Sequence, residues 1–217
     1  MQTISLNLKS NAPTHILCLG AHSDDIEIGC GGTILRWLAE RKRLAVTWVI
    51  FSADAVRRRE AEAGAALLLA GARTVRVICH EYRDSFFPHF GKDIKEHFLS
   101  LQQICNPDLI FTHYRDDLHQ DHRLVSHLTW NVFRNHLILE YEIPKYDGDL
   151  GSPNFFVPLD TAICRRKIQF LLRSFPSQKR RDWFTRETFL ALLRLRGMEC
   201  RSPSRYAEAF YCRKMVI

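Results

Sequence analysis

Four short apolar runs, separated by stretches of helical period, leave this chain few ways to fold. His15-Ile16-Leu17-Cys18-Leu19-Gly20 and Leu44 to Phe51 have the length and apolar content of buried strands, and Val75 to Cys79 and Asp108 to Phe111 read as a third and fourth strand. Between them, Thr33 to Ala39 carries apolar residues at helical spacing, in a helix ending near Arg43. Ala55 to Ala70 is rich in alanine and leucine and stops at Gly71. Ile94, Phe98, Leu101 and Ile104 form one stripe of a third helix, which Asn106-Pro107 ends. Strand and helix alternate with short connections, which predicts a three-layer α/β/α, Rossmann-like fold around a mostly parallel sheet. No repeat, low-complexity stretch or linker divides the 217 residues, so the expectation is a single domain spanning 1–217.

Beyond Glu140 the pattern changes. Pro144 to Pro153 is rich in turn residues, and Phe155 to Pro158 reads as extended. Helices are expected at about Thr161 to Ser174 and Phe184 to Arg196, with a last strand at Ala209 to Arg213. The seven cysteines contain no C-x-x-C pair and fall mostly in apolar runs, as reduced core thiols of a cytoplasmic protein do. Met1 to Pro13 lacks the apolar centre of a signal peptide, and no apolar run reaches the roughly 20 residues of a membrane span.

Two of the four strand candidates run into clusters of histidine and aspartate. After the first comes Ala21-His22-Ser23-Asp24-Asp25-Ile26-Glu27; after the fourth comes His113-Tyr114-Arg115-Asp116-Asp117-Leu118-His119-Gln120-Asp121-His122. In a parallel sheet both clusters lie at the carboxyl ends of strands, where open α/β sheets bind ligands. His119 and His122 are three apart and share a face at a helix start. Imidazoles and carboxylates in one crevice suit a divalent metal of zinc type. Caps and polar loops account for one such cluster as well as a metal does, but less readily for two.

His22-Ser23-Asp24-Asp25, the Gly29-Cys30-Gly31-Gly32-Thr33 that follows, and His119-Gln120-Asp121-His122 together resemble the signature of the LmbE-like, or phosphatidylinositol-glycan class L (PIG-L), zinc-dependent deacetylases. Arg59, Glu62 and Tyr206-Ala207-Glu208-Ala209-Phe210 also fit, so the resemblance covers nearly the whole chain. Ser23 stands where the family usually has proline, and Ile26 where many members have glutamate, with Glu27 as the acid to take its place. The resemblance implies removal of an N-acetyl group from an N-acetylglucosamine-type sugar or sugar conjugate. It implies His22, Asp25 and His122 as ligands of a Zn²⁺ ion and Asp24 as general base. His119 would polarise the acetyl oxygen or protonate the leaving amine, with Asp121 orienting it. Arg59 would be a site arginine and Tyr206 an oxyanion donor.

Charge is uneven. From Arg165 to Lys214 there are 14 Lys and Arg against four Asp and Glu, and the overall net charge of +7 arises there. That surplus suggests a phosphate-bearing substrate or another anionic partner, with Arg180, Arg181, Arg194, Arg196, Arg201 and Arg205 as phosphate binders. Nucleic acid is not expected, because no binding motif accompanies the charge. A homo-oligomer stays open. Two other functions compete: a hydrolase of the same fold acting on a non-sugar amide or ester, and a dinucleotide-binding module built on the glycine run. The latter lacks G-x-G-x-x-G spacing and carries two carboxylates that would repel a pyrophosphate.

Overall fold

β1 (Thr14–His22) is the axis of the molecule because both of its faces are apolar. Ile16 and Cys18 face one core; Leu17, Leu19 and Ala21 face the other. The computed structural model describes residues 13–40 and 43–216. Parallel partners flank β1: β2 (Leu44–Ser52) pairs Trp48 with Cys18, and β4 (Leu109–His113) pairs Phe111 with Cys18. β3 (Thr74–Cys79) lies outside β2, and β5 (Leu137–Tyr141), which no sequence pattern announces, lies outside β4. β7 (Tyr206–Cys212) runs antiparallel between β5 and β6 (Phe155–Leu159). The described residues thus form a seven-stranded, mostly parallel sheet in the order β3-β2-β1-β4-β5-β7-β6.

Helices cover both faces, which makes the three layers. α1 (Asp25–Glu40), α2 (Ala55–Leu68), α5 (Thr161–Ser174) and α6 (Arg186–Glu199) pack on the larger core. α3 (Gly91–Ile104) and α4 (Gln120–Val132) pack on the smaller one, where Phe51 stacks on Phe98 at 5.2 Å. No described helix is long and apolar enough to cross a membrane. All seven cysteines are unbridged. The expectation about Met1 to Pro13 lies almost wholly outside the described residues.

α1 differs most from its prediction. The spacing places the helix from Thr33, yet it begins at Asp25 and carries the glycine run inside it. The glycines are there for close approach rather than for a loop. A Cβ on Gly29 would collide with the Tyr141 ring, and one on Gly32 with Leu159 and Glu208. Glu208 on β7 takes the amide hydrogens of Gly32 and Thr33 at 2.7 and 2.6 Å, and Lys167 on α5 donates to Glu208 and to the Ile28 carbonyl. This buried pair therefore occupies the amides that a phosphate would need, which removes the dinucleotide reading. The early helix start also has a consequence for the site, because it puts Asp25 at the first position of α1 and Asp24 just before it, directly beyond the end of β1.

Candidate metal centre

β1 ends at His22 and β4 at His113, and the helices that follow begin at Asp25 and Gln120. Four groups at these ends are buried: His22, Asp25, His113 and His122. His22 Nδ1 lies 3.2 Å from His122 Nε2 and 3.3 Å from Asp25 Oδ2, and His122 Nε2 is 3.6 Å from that same oxygen. Metal bonds of about 2.0–2.1 Å in tetrahedral geometry set ligand atoms roughly 3.3–3.4 Å apart. The three sequence-predicted ligands thus already have the separations of one face of a zinc tetrahedron.

Each of the two histidines expected as ligands is also held from behind. His122 Nδ1 is 2.9 Å from Asp117 Oδ2, and His22 Nε2 is 3.3 Å from Asp121 Oδ2 and 3.1 Å from Asp84 Oδ1. A carboxylate on the far nitrogen fixes which nitrogen faces the metal and raises the ring's basicity. Asp117 is paired in turn with Lys145 of the 144–153 loop, 3.0 Å away, and Lys145 with Asp149 at 2.5 Å. That loop is therefore fastened to the site rather than being a free excursion.

Charge follows from this packing. Burial works against the charged form of His22, but Asp25, Asp121 and Asp84 overcome it and hold the ring's pKa well above the ordinary value. Burial and the neighbouring His113 push His122 down to about 3. Burial alone would raise Asp25, yet His122, His113 and His22 pull it well below the carboxylate range. Asp84 is lowered chiefly by its hydrogen bond to His22. In the metal-free protein His22 is thus the protonated member of the trio and His122 the neutral one.

Asp24 is buried beside the trio, and its Oδ1 accepts a 2.5 Å bond from Arg57 Nη2. Burial raises its pKa while Arg57 opposes the rise. The arginine predicted here was Arg59. In the structure Arg59 is exposed and makes no hydrogen bond or ion pair among the described residues, and Glu62 is exposed as well. Asp54 caps α2, accepting from the amides of Val56 and Arg57, and the helix so started turns Arg57 inward and Arg59 out. Three consecutive arginines give no sequence signal for which one that is.

Asp121 also differs from its predicted role. Its oxygens accept from the amides of Ser85 and Phe87 at 2.6 and 3.0 Å and meet His22, not the His119 ring. Residues two apart at a helix start point in different directions. His119 is instead the N-cap of α4: its Nδ1 accepts from the Asp121 amide at 3.2 Å, which leaves the hydrogen on Nε2. Its ring stacks on His122 at 4.6 Å and meets His22 edge-on at 4.9 Å. Burial, with His22, lowers its pKa, so it is neutral near pH 7.

Two other predicted residues are not brought to the centre. Tyr206 packs against α5 and α6. Glu27 is buried on the α1 face toward Gly64 of α2, with neither carboxyl oxygen hydrogen-bonded. Burial holds it well above the usual carboxylate range. Sequence reasoning missed Asp84, Asp117 and His113. His113 Nε2 receives the Ala21 amide at 2.9 Å and lies 3.2 Å from Asp25. Its position as the last residue of an apolar strand is a signal that could have found it; Asp84 sits in a loop with none.

The sequence pattern of one family, PIG-L: GlcNAc-PI de-N-acetylase, matches residues 17–133, more than half of the chain. Among solved structures, the chain is similar to the N,N'-diacetylchitobiose deacetylase of Pyrococcus horikoshii in complex with an inhibitor. There the identity is 25% over 94% of this chain and 85% of that one, with a TM-score of 0.66. A deacetylase of the teicoplanin biosynthesis pathway shares the fold at 16% identity, covering 91% and 97% of the two chains, with a TM-score of 0.70. So does GalB, the 4-carboxy-2-hydroxymuconate hydratase of Pseudomonas putida, at 18% identity, 94% and 98% coverage and a TM-score of 0.72.

Proposed function

The chain belongs to the PIG-L family, and from that premise we propose that it is a zinc-dependent hydrolase removing the N-acetyl group of an N-acetylated sugar or sugar conjugate. The observation that carries the reading is the trio of His22 Nδ1, Asp25 Oδ2 and His122 Nε2 at 3.2–3.6 Å, with a carboxylate behind each ring. Two imidazoles and one carboxylate are a donor set for zinc, and three protein ligands are what a catalytic rather than a structural site keeps. When bound, the ion supplies Lewis acidity toward water and the acyl oxygen.

This chain's own residues do the rest. Asp24 follows the last strand residue by two, is not needed as a ligand, and is an acceptor held in place by Arg57. It takes the proton of the attacking water and can return it to the leaving nitrogen. His119 presents Nε2–H beside the trio and donates to the acetyl oxygen as negative charge gathers there. A neutral imidazole suits donation to that oxygen better than proton delivery, so Asp24 carries the proton. Asp121 and Asp117 keep His22 and His122 aimed.

The hydratase on the same fold shows that the fold alone does not choose the reaction. The family match and the deacetylase at 25% identity support hydrolysis of an N-acetyl group over the alternative of a non-sugar amide or ester. The test is acetate release by the zinc-loaded protein from a panel of free, nucleotide-linked and lipid-linked N-acetylhexosamines, beside simple N-acetyl amides and esters. Turnover of the simple compounds alone would refute the sugar reading. No acetate from any of them would refute the deacetylase reading.

A further inference from the structure

The positive surplus of the C-terminal part and Tyr206 are left unused by the metal centre, and they meet on the outer face of α5. A cleft of about 360 Å³ lies there between α5, α6 and the start of β7. That is within the range of roughly 300–1,000 Å³ found for small-molecule sites. Ile168, Leu172, Leu190 and Tyr206 form its apolar wall, and Arg165 and Arg186 are exposed on its rim. Arg165, Ile168 and Leu172 fall on one stripe of α5, and Arg186 and Leu190 are one turn apart on α6.

Among the described basic residues of this region, Arg165 and Arg186 are the two that line the cleft. Arg196 is buried and engaged by Glu142 and Glu199, Arg213 is held by Glu140, and Arg194 donates to the Arg205 carbonyl. Among the described residues the side chains of Arg165 and Arg186, like those of Arg166, Arg173, Arg180, Arg181 and Arg201, make no hydrogen bond and no ion pair. Their charges nonetheless act on one point. Burial raises the thiol of Cys164 in the cleft, while Lys167, Arg186 and Arg165 pull it down. Two unpaired guanidiniums over an apolar wall make a receptor with a cationic end and a greasy one, and guanidinium groups bind phosphate and carboxylate oxygens in pairs. None of these residues belongs to the metal centre, and all lie beyond the 17–133 match to the family.

We propose that this cleft is a second binding site, separate from the metal centre, for a small amphiphilic anion. Its phosphate or carboxylate lies between Arg165 and Arg186, and its apolar body lies on Ile168, Leu172, Leu190 and Tyr206. The anionic partner suggested by the sequence charge is then bound here, not in the crevice.

Calorimetric titration of the full chain with octyl phosphate below its micelle concentration tests the site. Inorganic phosphate and octyl glucoside serve as controls for the two halves of the ligand. The expected result is single-site binding of octyl phosphate, weaker binding of inorganic phosphate and none of octyl glucoside. Arg165→Gln and Arg186→Gln should each weaken it by roughly tenfold, the value of one charge-assisted hydrogen bond. Both arginines are exposed, so these variants keep the fold; Leu190→Asp tests the apolar wall independently. His122→Ala should bind octyl phosphate as the wild type does. Binding unchanged by both arginine substitutions would overturn the proposal, as would binding lost in His122→Ala, which would place the ligand on the metal centre. Association with phosphatidic-acid vesicles without binding of soluble octyl phosphate would also overturn it, because a charged surface and not a cleft would then be responsible.

Discussion

Zinc binding to this protein should release a proton, and the structure says from where. In the metal-free trio His22 carries the proton, because Asp25, Asp121 and Asp84 outweigh its burial and raise its pKa well above the ordinary histidine value. His122, pushed down to about 3, and Asp25, pulled below the carboxylate range, have none to give near neutrality. A ligand nitrogen must be bare to bind, so the ion displaces the proton from His22 Nδ1. With a pKa of 6.5 as the lower bound, His22 is at least about three-quarters protonated near pH 6. A zinc-held water with a pKa of about 7 adds only about 0.1 proton there. Calorimetry near pH 6 in buffers of differing ionisation enthalpy should thus give between about 0.85 and 1.1 protons per zinc. The apparent zinc affinity should fall about tenfold for each pH unit below the folded pKa of His22. The stability of the metal-free protein moves the other way. A raised histidine pKa stabilises fully below the unfolded value of about 6.5, and that contribution is lost as the pH rises through the folded value. Release near zero, or a zinc affinity independent of pH between about 5 and 7, would refute this account of the trio.

Other outcomes follow from the same contacts. Asp24→Asn should retain zinc, measured by metal analysis, and lose on the order of 10²–10⁴-fold in turnover; loss of zinc instead would make Asp24 a ligand. Arg57→Met removes the cation that lowers the Asp24 pKa, so the acid limb of the kcat/KM profile should move to higher pH, whereas exposed Arg59→Ala should leave the profile in place. Asp117→Asn should weaken zinc by roughly 10–100-fold in competition with a chelator, because it loosens His122. Glu208→Ala should cost about 3–5 kcal/mol in denaturant unfolding, since it strands Lys167 in the core.

Much of the fold was legible because it rests on local pattern. Each buried strand of the parallel half except β5 announces itself as an apolar run, and α5 keeps its predicted ends from Thr161 to Ser174. β5 escaped because Leu137–Tyr141 is short and follows a helix closely, so the run reads as a continuation. The histidines and aspartates of the centre were legible for a similar reason: strand ends and helix starts are fixed by the chain itself, and His22, Asp25 and His122 stand on them. What was not legible is which distant group each one meets. Asp121 was expected to orient His119, and whether it meets that ring or His22 depends on a loop 36 residues earlier, where Ser85 donates to Asp121 at 2.6 Å. Arg57 or Arg59 depends on the rotation of α2, which a cap at Asp54 sets.

The glycine run carries the same lesson into energetics. Read alone, Gly29-Cys30-Gly31-Gly32 suggests a loop whose free amides await a phosphate. In the fold the amides of Gly32 and Thr33 are already claimed by a carboxylate of this chain, and Lys167 balances that carboxylate and closes on the Ile28 carbonyl. Burying such a pair is costly, and it persists only where hydrogen bonds satisfy both charges. Here the two amides, the carbonyl and the ion pair satisfy one another across α1, α5 and β7. The glycines permit this because no side chain keeps Glu208 and Tyr141 away from the helix backbone. A run that looks like a ligand site is thus where the C-terminal elements lock onto the helix bearing Asp25. The proposed metal trio consequently depends on residues nearly two hundred positions away in sequence, which neither chelate nor touch substrate.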